Sequence, residues 1–183
     1  MGKMKEMVTM GIDPSLTSTG ISIGGVTASI RKTSRGVHRL LEVRNDLIYI
    51  IKQHNVNCVA IEHYSYASRN SQAHSIGEMG GVMRLALYEA EIPFVEIPPT
   101  CRAKFATGKG NAGKPEVVSA ISAITGIVWT GGDGSDRCDA WVLEEMLKYK
   151  LGLSKQKWDT ANTDALKKVD WSPLETIMKE VNK

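Results

Sequence analysis

The sequence predicts an α/β domain built on a mixed sheet, and three observations lead there. Short β-type runs crowd the first part of the chain, joined by links too short for a crossover. Two later β-type runs alternate with stretches of helical spacing. Both the first run and one of the later ones end on a lone carboxylate, which is where α/β sheets place functional groups.

Residues about 8 to 13, 20 to 25 and 27 to 32 read as three consecutive strands, the first two joined by Pro14–Thr19 and the next two turning at Gly24 and Gly25. "RGVHRLLEVRNDLIYIIKQHN" follows, with Val37, Leu40, Leu41, Leu47, Ile48 and Ile51 at helical spacing. "CVAIEHY" is the fourth strand and ends on Glu62. "NSQAHSIGEMGGVMRLALYEAE" is a second helix striped by Ile76, Met79, Met83 and Leu87. Its Gly77, Gly80 and Gly81 weaken it unless another backbone approaches there. "PFVEIPP" is the last strand. "KPEVVSAISAITG" is a helix with Pro115 in its first turn and Gly126 at its end. A final helix, capped by Ser135, runs to about Leu151. The expected order is three strands, helix, strand, helix, strand, helix, helix.

Residues 1–152 form the expected domain. From 153 to 183 the composition changes to six Lys, five acids and two Trp with little periodicity, which reads as a C-terminal extension with a short helix near Pro173–Val181. A chain of 183 residues suits one domain with a full core. With 42% hydrophobic and 23% charged residues it has the composition of a globular protein, with neither a signal core nor a membrane-length apolar run. Cys58, Cys101 and Cys138 are too scattered for a disulfide framework or a metal site. A cytoplasmic location is expected. The net charge of +3 is small, but Arg31, Lys32, Arg35 and Arg39, and again Arg102, Lys104, Lys109 and Lys114, form acid-free sets that attract phosphates.

Asp13 and Glu62 are the sole acids at the ends of apolar strands. In "GSDRCDAWVLEEM", Asp136 and Asp139 share a helix face near the helix start, where dipole and free amides favour negative charge. Each has a bland reading as turn former or first-turn acid; together they are four carboxylates from distant segments that could converge. Two carboxylates about 4 Å apart repel by roughly 4 kcal/mol at an effective dielectric of 20, so something cationic must offset them. Oxygen-only ligands point to Mg²⁺, with Mn²⁺ able to substitute. His63 and His74 have no sequence-visible partner as bases.

At these residues the sequence resembles the RuvC family of Holliday-junction resolvases, within the RNase H-like nuclease fold. "GIDPSLTSTG", "AIEHY", "GKGNAGK" and "SDRCDAWVLEE" occur in the family's order, and the resemblance covers about residues 7 to 151. It departs at Ser15, where the family usually has Gly, and in a shorter region around Arg31–Arg39. The resemblance implies an RNase H-like mixed sheet and a metal-dependent crossover junction endodeoxyribonuclease. Asp13, Glu62, Asp136 and Asp139 match the metal-binding acids, and Lys114 matches a basic residue near the scissile phosphate. Lys104 or Arg102 matches another.

Paired cuts imply a homodimer, with the glycine-containing helix from about Ser75 to Glu91 as its interface. Tyr64 or Tyr66 would stack at the junction centre, while Arg69, Arg102, Lys104 and Lys109 complete the expected DNA contacts. A bacteriophage origin suits the compact form and foreign tail. The alternatives are an RNase H-like nuclease on RNA or unbranched DNA, a silent junction-binding protein, and an actin-type ATPase, for whose second domain there is no room.

Overall fold

The computed structural model describes residues 7–63 and 73–181. Its sheet contains β1 (Thr9–Asp13), β2 (Ser18–Ile23), β3 (Val26–Arg31), β4 (Cys58–Glu62) and β5 (Phe94–Ile97), in the order β3-β2-β1-β4-β5. β1, β2 and β3 pair antiparallel, whereas β1–β4 and β4–β5 are parallel. This is the mixed sheet expected from the short early links and the later helical crossovers. β2 and β3 start slightly earlier than expected, because Gly24 and Gly25 themselves make the turn, both at positive φ (62° and 84°).

Helices α1 (Gly36–His54) and α2 (Ala73–Glu89) cover one face of the sheet. There Met10, Ile12, Ile21, Val59 and Ile61 pack against Val43, Leu47, Met79 and Met83. The opposite face receives α3 (Pro99–Thr107), α4 (Lys114–Thr125) and α5 (Gly134–Lys150), with Cys58, Ala60, Val95 and Ile97 meeting Phe105, Ile121, Leu143 and Met146. Strand side chains alternate between faces. Because Met10, Ile12, Val59 and Ile61 point to α1 and α2, Asp13 and Glu62 fall by parity on the α5 side.

Three features differ from the sequence expectation. α3 was not expected: its buried residues Cys101, Arg102, Ala103, Phe105 and Ala106 run almost consecutively, so no one-sided apolar stripe marks it. Its signals are end signals, Pro99 at its first position and Gly108 closing it at φ 78°. Ser135 does not cap α5. Asp133 is the N-cap residue, and its carboxylate binds Ser29 and Arg31 instead of the helix amides.

Residues 153–183, expected as an appended extension, are packed into the α3–α5 layer as far as they are described. The extension carries α6 (Thr160–Thr163), 3-10 turns at Asp164–Lys168 and Ser172–Leu174, and α7 (Glu175–Val181). Ala165, Leu166, Val169, Trp171 and Leu174 join the same core as α5, and the Trp158 ring lies 4.3 Å from that of Phe105.

Candidate active site

β1 and β4 run side by side in register, Ile12 opposite Ile61, so the next residues, Asp13 and Glu62, leave the sheet together at one edge. α5 crosses this edge in backbone contact. A Cβ placed on Gly11 would stand 2.1 Å from the Ala140 carbonyl oxygen, and one on Gly20 would stand 2.1 Å from that of Asp136. Only glycine permits that approach, and the approach brings Asp136 and Asp139 over the ends of β1 and β4.

Two cations enter among these acids. Arg102, delivered by α3 and buried, donates from Nε to Glu62 and from a terminal nitrogen to Asp139. Lys114, exposed at the first position of α4, reaches Asp136 Oδ1 at 2.8 Å. Asp139 Oδ2 is buried without a hydrogen-bond partner, which is costly unless something else compensates it.

The electrostatics follow from that crowding. Burial first, and then the Glu62 and Asp139 charges, push Asp13 well above the usual carboxylate range, against the pull of Arg102 and Lys114. Asp139 is raised to about 6, by burial and by Glu62 and Asp136, although Arg102 and Lys114 lower it. Burial works against the charge on Arg102, but Glu62, Asp139 and Asp13 outweigh it and hold the guanidinium protonated. Lys114 is raised in the same way, its burial offset chiefly by Asp136 and Asp13. These mutual effects tie Asp13, Glu62 and Asp139 together, with Asp136 reaching them through Asp139 and Lys114.

The donor set is all carboxylate oxygen, which suits a hard divalent cation, and Asp139 Oδ2 is a buried oxygen whose missing hydrogen bond such a cation would compensate. Among the described residues no three acidic, His or Cys side chains stand close enough to form a ready-made cage. The Arg102 guanidinium lies between Glu62 and Asp139 instead. The residues therefore fit a metal centre in kind and neighbourhood, with Arg102 occupying part of it.

The expected DNA contacts divide. Lys109 is exposed, 3.3 Å from Glu116. Lys104 turns to Asp164 of the extension. Arg102, expected to face DNA, is buried and engaged by Glu62 and Asp139, because α3 points it into the sheet edge. Tyr64, Tyr66 and Arg69 lie outside the described residues. In the other basic set Arg31 pairs with Asp133, Lys32 pairs with Asp46, and Arg39 donates to the Ser34 and Leu16 carbonyls, while Arg35 is exposed. The cysteines are buried and free, with the Cys58 and Cys138 thiols pushed up to about 12 by burial, which removes them as nucleophiles.

A mixed sheet with acids from two neighbouring strand ends and one crossing helix defines an RNase H-like α/β protein with an acidic, cation-seeking centre. The comparisons with known proteins narrow that class. A family model described as crossover junction endodeoxyribonuclease RuvC matches residues 9–140. The RuvC of Nocardia farcinica is 33% identical over 149 residues, covering 75% of this chain and 78% of that protein. The RuvC of Prochlorococcus marinus (strain NATL1A) is 31% identical over 126 residues, covering 63% and 81%. The structure of Thermus thermophilus RuvC superposes with a TM-score of 0.64 at 21% identity, covering 82% of this chain and all of that one. T. thermophilus RuvC in complex with Holliday junction substrate gives 0.63 at 22%. The chain belongs to the RuvC family of crossover junction endodeoxyribonucleases, which are divalent-cation-dependent nucleases. Among the described residues no helix is long and apolar enough to cross a membrane.

Proposed function

We propose that this chain resolves Holliday junctions, and related branched DNA, by paired Mg²⁺-dependent hydrolysis of phosphodiester bonds in the cytoplasm, with Mn²⁺ able to replace Mg²⁺. The observation that carries the reading is the meeting of Asp13, Glu62 and Asp139 at one sheet edge, with Asp136 beside Asp139, where a buried Asp139 oxygen has no hydrogen-bond partner. It is supported by membership of the family and by the junction-bound T. thermophilus relative. When bound, divalent ions would supply a water of lowered pKa and charge stabilisation at the leaving oxygen.

The protein's share is to hold and orient. Asp13, Glu62 and Asp139 provide carboxylate oxygens from the sheet edge and the helix. Asp136 provides another nearer the open side, where Lys114 approaches it. The Lys114 ammonium, exposed at the rim beside Asp136, would meet charge building on phosphate oxygens. Lys109, on the loop leading into α4, adds a phosphate contact farther out.

Two symmetric cuts call for two copies, and α2 offers the surface. Its exposed positions Glu78, Gly81, Leu85 and Tyr88 follow helical spacing along one face, with Leu85 and Tyr88 standing 55% and 77% exposed. Gly81 in that face allows a close neighbour.

The test is cleavage of four-way, Y-shaped, flap and linear DNA and an RNA–DNA hybrid, in Mg²⁺, Mn²⁺ and Ca²⁺, with both cut sites mapped. Symmetric paired nicks on the four-way junction, absent in Ca²⁺, are expected. Preferential cutting of the hybrid or of linear DNA would sink the junction reading, and binding without cutting in either active ion would sink the enzymatic one.

A further inference from the structure

We propose that Arg102 is a built-in occupant of the metal centre: its guanidinium bridges Glu62 and Asp139 in the metal-free protein, and a divalent ion engages those two carboxylates only as Arg102 lets go. This rests on the metal-site reading above and adds to it a competitor supplied by the chain itself.

Three observations combine. The partners of Arg102 are the two acids, one from β4 and one from α5, that the metal reading also requires. The guanidinium takes up their facing oxygens, Glu62 Oε2 and Asp139 Oδ1, whereas the second oxygen of Asp139 is left buried without a partner. A permanent structural bridge would be expected to satisfy the cluster, since a half-satisfied buried network costs more than it returns. This one stops short. Finally, among the described residues, no three ligand side chains form a cage while the guanidinium stands between them.

The physics of exchange is direct. A planar fork with one positive charge holds two carboxylates from separate elements in place, and so limits the repulsion among Glu62, Asp139 and Asp13 in the absence of metal. A divalent ion does the same with twice the charge and shorter contacts. The two cannot hold the same oxygens, so each weakens the other. Arg102 cannot leave with its helix, because Cys101, Ala103 and Phe105 anchor α3 in the core. Its long side chain can swing, and the open side, where Lys114 stands, is where an incoming phosphate would accept it. By contrast Lys114 on Asp136 is exposed and gives way at little cost.

The experiment measures Mn²⁺ binding to the free, full-length protein by calorimetry and by the loss of the free-ion paramagnetic resonance signal. Wild type, Arg102→Gln, Asp139→Asn and the double variant are compared, together with thermal unfolding of each without metal. Expected is an Arg102→Gln protein that binds Mn²⁺ about tenfold more tightly than wild type or better, a difference of roughly 1.4 kcal/mol. The same variant should melt at lower temperature without metal, and its gain should vanish when Asp139→Asn is added. Equal or weaker Mn²⁺ binding by Arg102→Gln overturns the proposal and makes Arg102 a positioning residue for the ligands. Binding that is absent from both proteins, or indifferent to Asp139→Asn, overturns the metal-site reading itself. Should Arg102→Gln fail to fold, Arg102→Lys keeps the charge but not the fork; tighter binding than wild type is expected of it, and unchanged binding overturns the proposal.

Discussion

α5 carries two acidic pairs, and the protein treats them in opposite ways. At its far end Glu144 is 1% exposed yet fully served: Thr9 Oγ1 and Ser22 Oγ donate to it, as does the Gly25 amide, and Lys148 stands 2.7 Å away. Glu145 accepts from Ser154 and from the Trp158 indole. At the near end, Asp139 is equally buried, but one of its oxygens has no partner and its proton affinity is raised by burial and like charge. The same residue class on the same helix is a structural tie in one place and a reservoir of unmet negative charge in the other. Burial of a carboxylate therefore says little about function until its partners are counted.

The largest expected effect tests the near end. Asp139→Asn or Asp13→Asn should lower junction cleavage by about a thousandfold or more, roughly 4 kcal/mol in the barrier, with junction affinity changing only a few-fold by gel shift. Equal losses of binding and cleavage would erase the distinction between the two ends. Glu144→Ala tests the far end in the converse way. It strands two hydroxyls, an amide and Lys148, and should cost about 3 kcal/mol in urea unfolding, while leaving cleavage by the folded protein within a few-fold of wild type.

Gly20→Ala forces a methyl group against the Asp136 carbonyl, 2.1 Å from where its Cβ would stand. It should lower stability by about 1–3 kcal/mol and impair cleavage too, because α5 must retreat from the ends of β1 and β4. The pH dependence sharpens the contrast further. Asp139 has a folded pKa of about 6, above its ordinary value, so the folded state binds the proton more tightly than the unfolded chain. Metal-free stability should therefore fall as pH rises from about 4 to about 6, and this slope should shrink in Asp139→Asn. The smallest effect is expected from Asp164→Asn, which releases Lys104 at a partly exposed site. Melting temperature and cleavage should both stay near wild type.

Much of this was legible in the sequence, and for physical reasons. Asp13 and Glu62 stood out because each is the sole acid ending an apolar strand and the four acids together fall on element ends that could converge, and Asp136 and Asp139 because their spacing fixes a shared helical face. Arg102 was visible as a basic residue but its direction was not. It lies in a short helix whose buried residues run almost consecutively, and whose small residues and lysine conceal any apolar stripe. The packing of the extension was hidden for a related cause. Leu166 and Leu174 sit on 3-10 segments, and Trp158 and Trp171 on irregular chain beside short elements, which carry no long-range period for pattern reading to detect. The close approach of α5 was half visible. Gly11 and Gly20 are plain in the sequence, but what presses on them comes from a helix more than a hundred residues further along the chain.

That contact between main chains has a consequence for how such a protein can change. The gauge that sets the separation of the acids is peptide against peptide, so it does not depend on the identity of the residues around the rim. Loops and surface cations at the rim can be exchanged while the main-chain contact beneath them is kept.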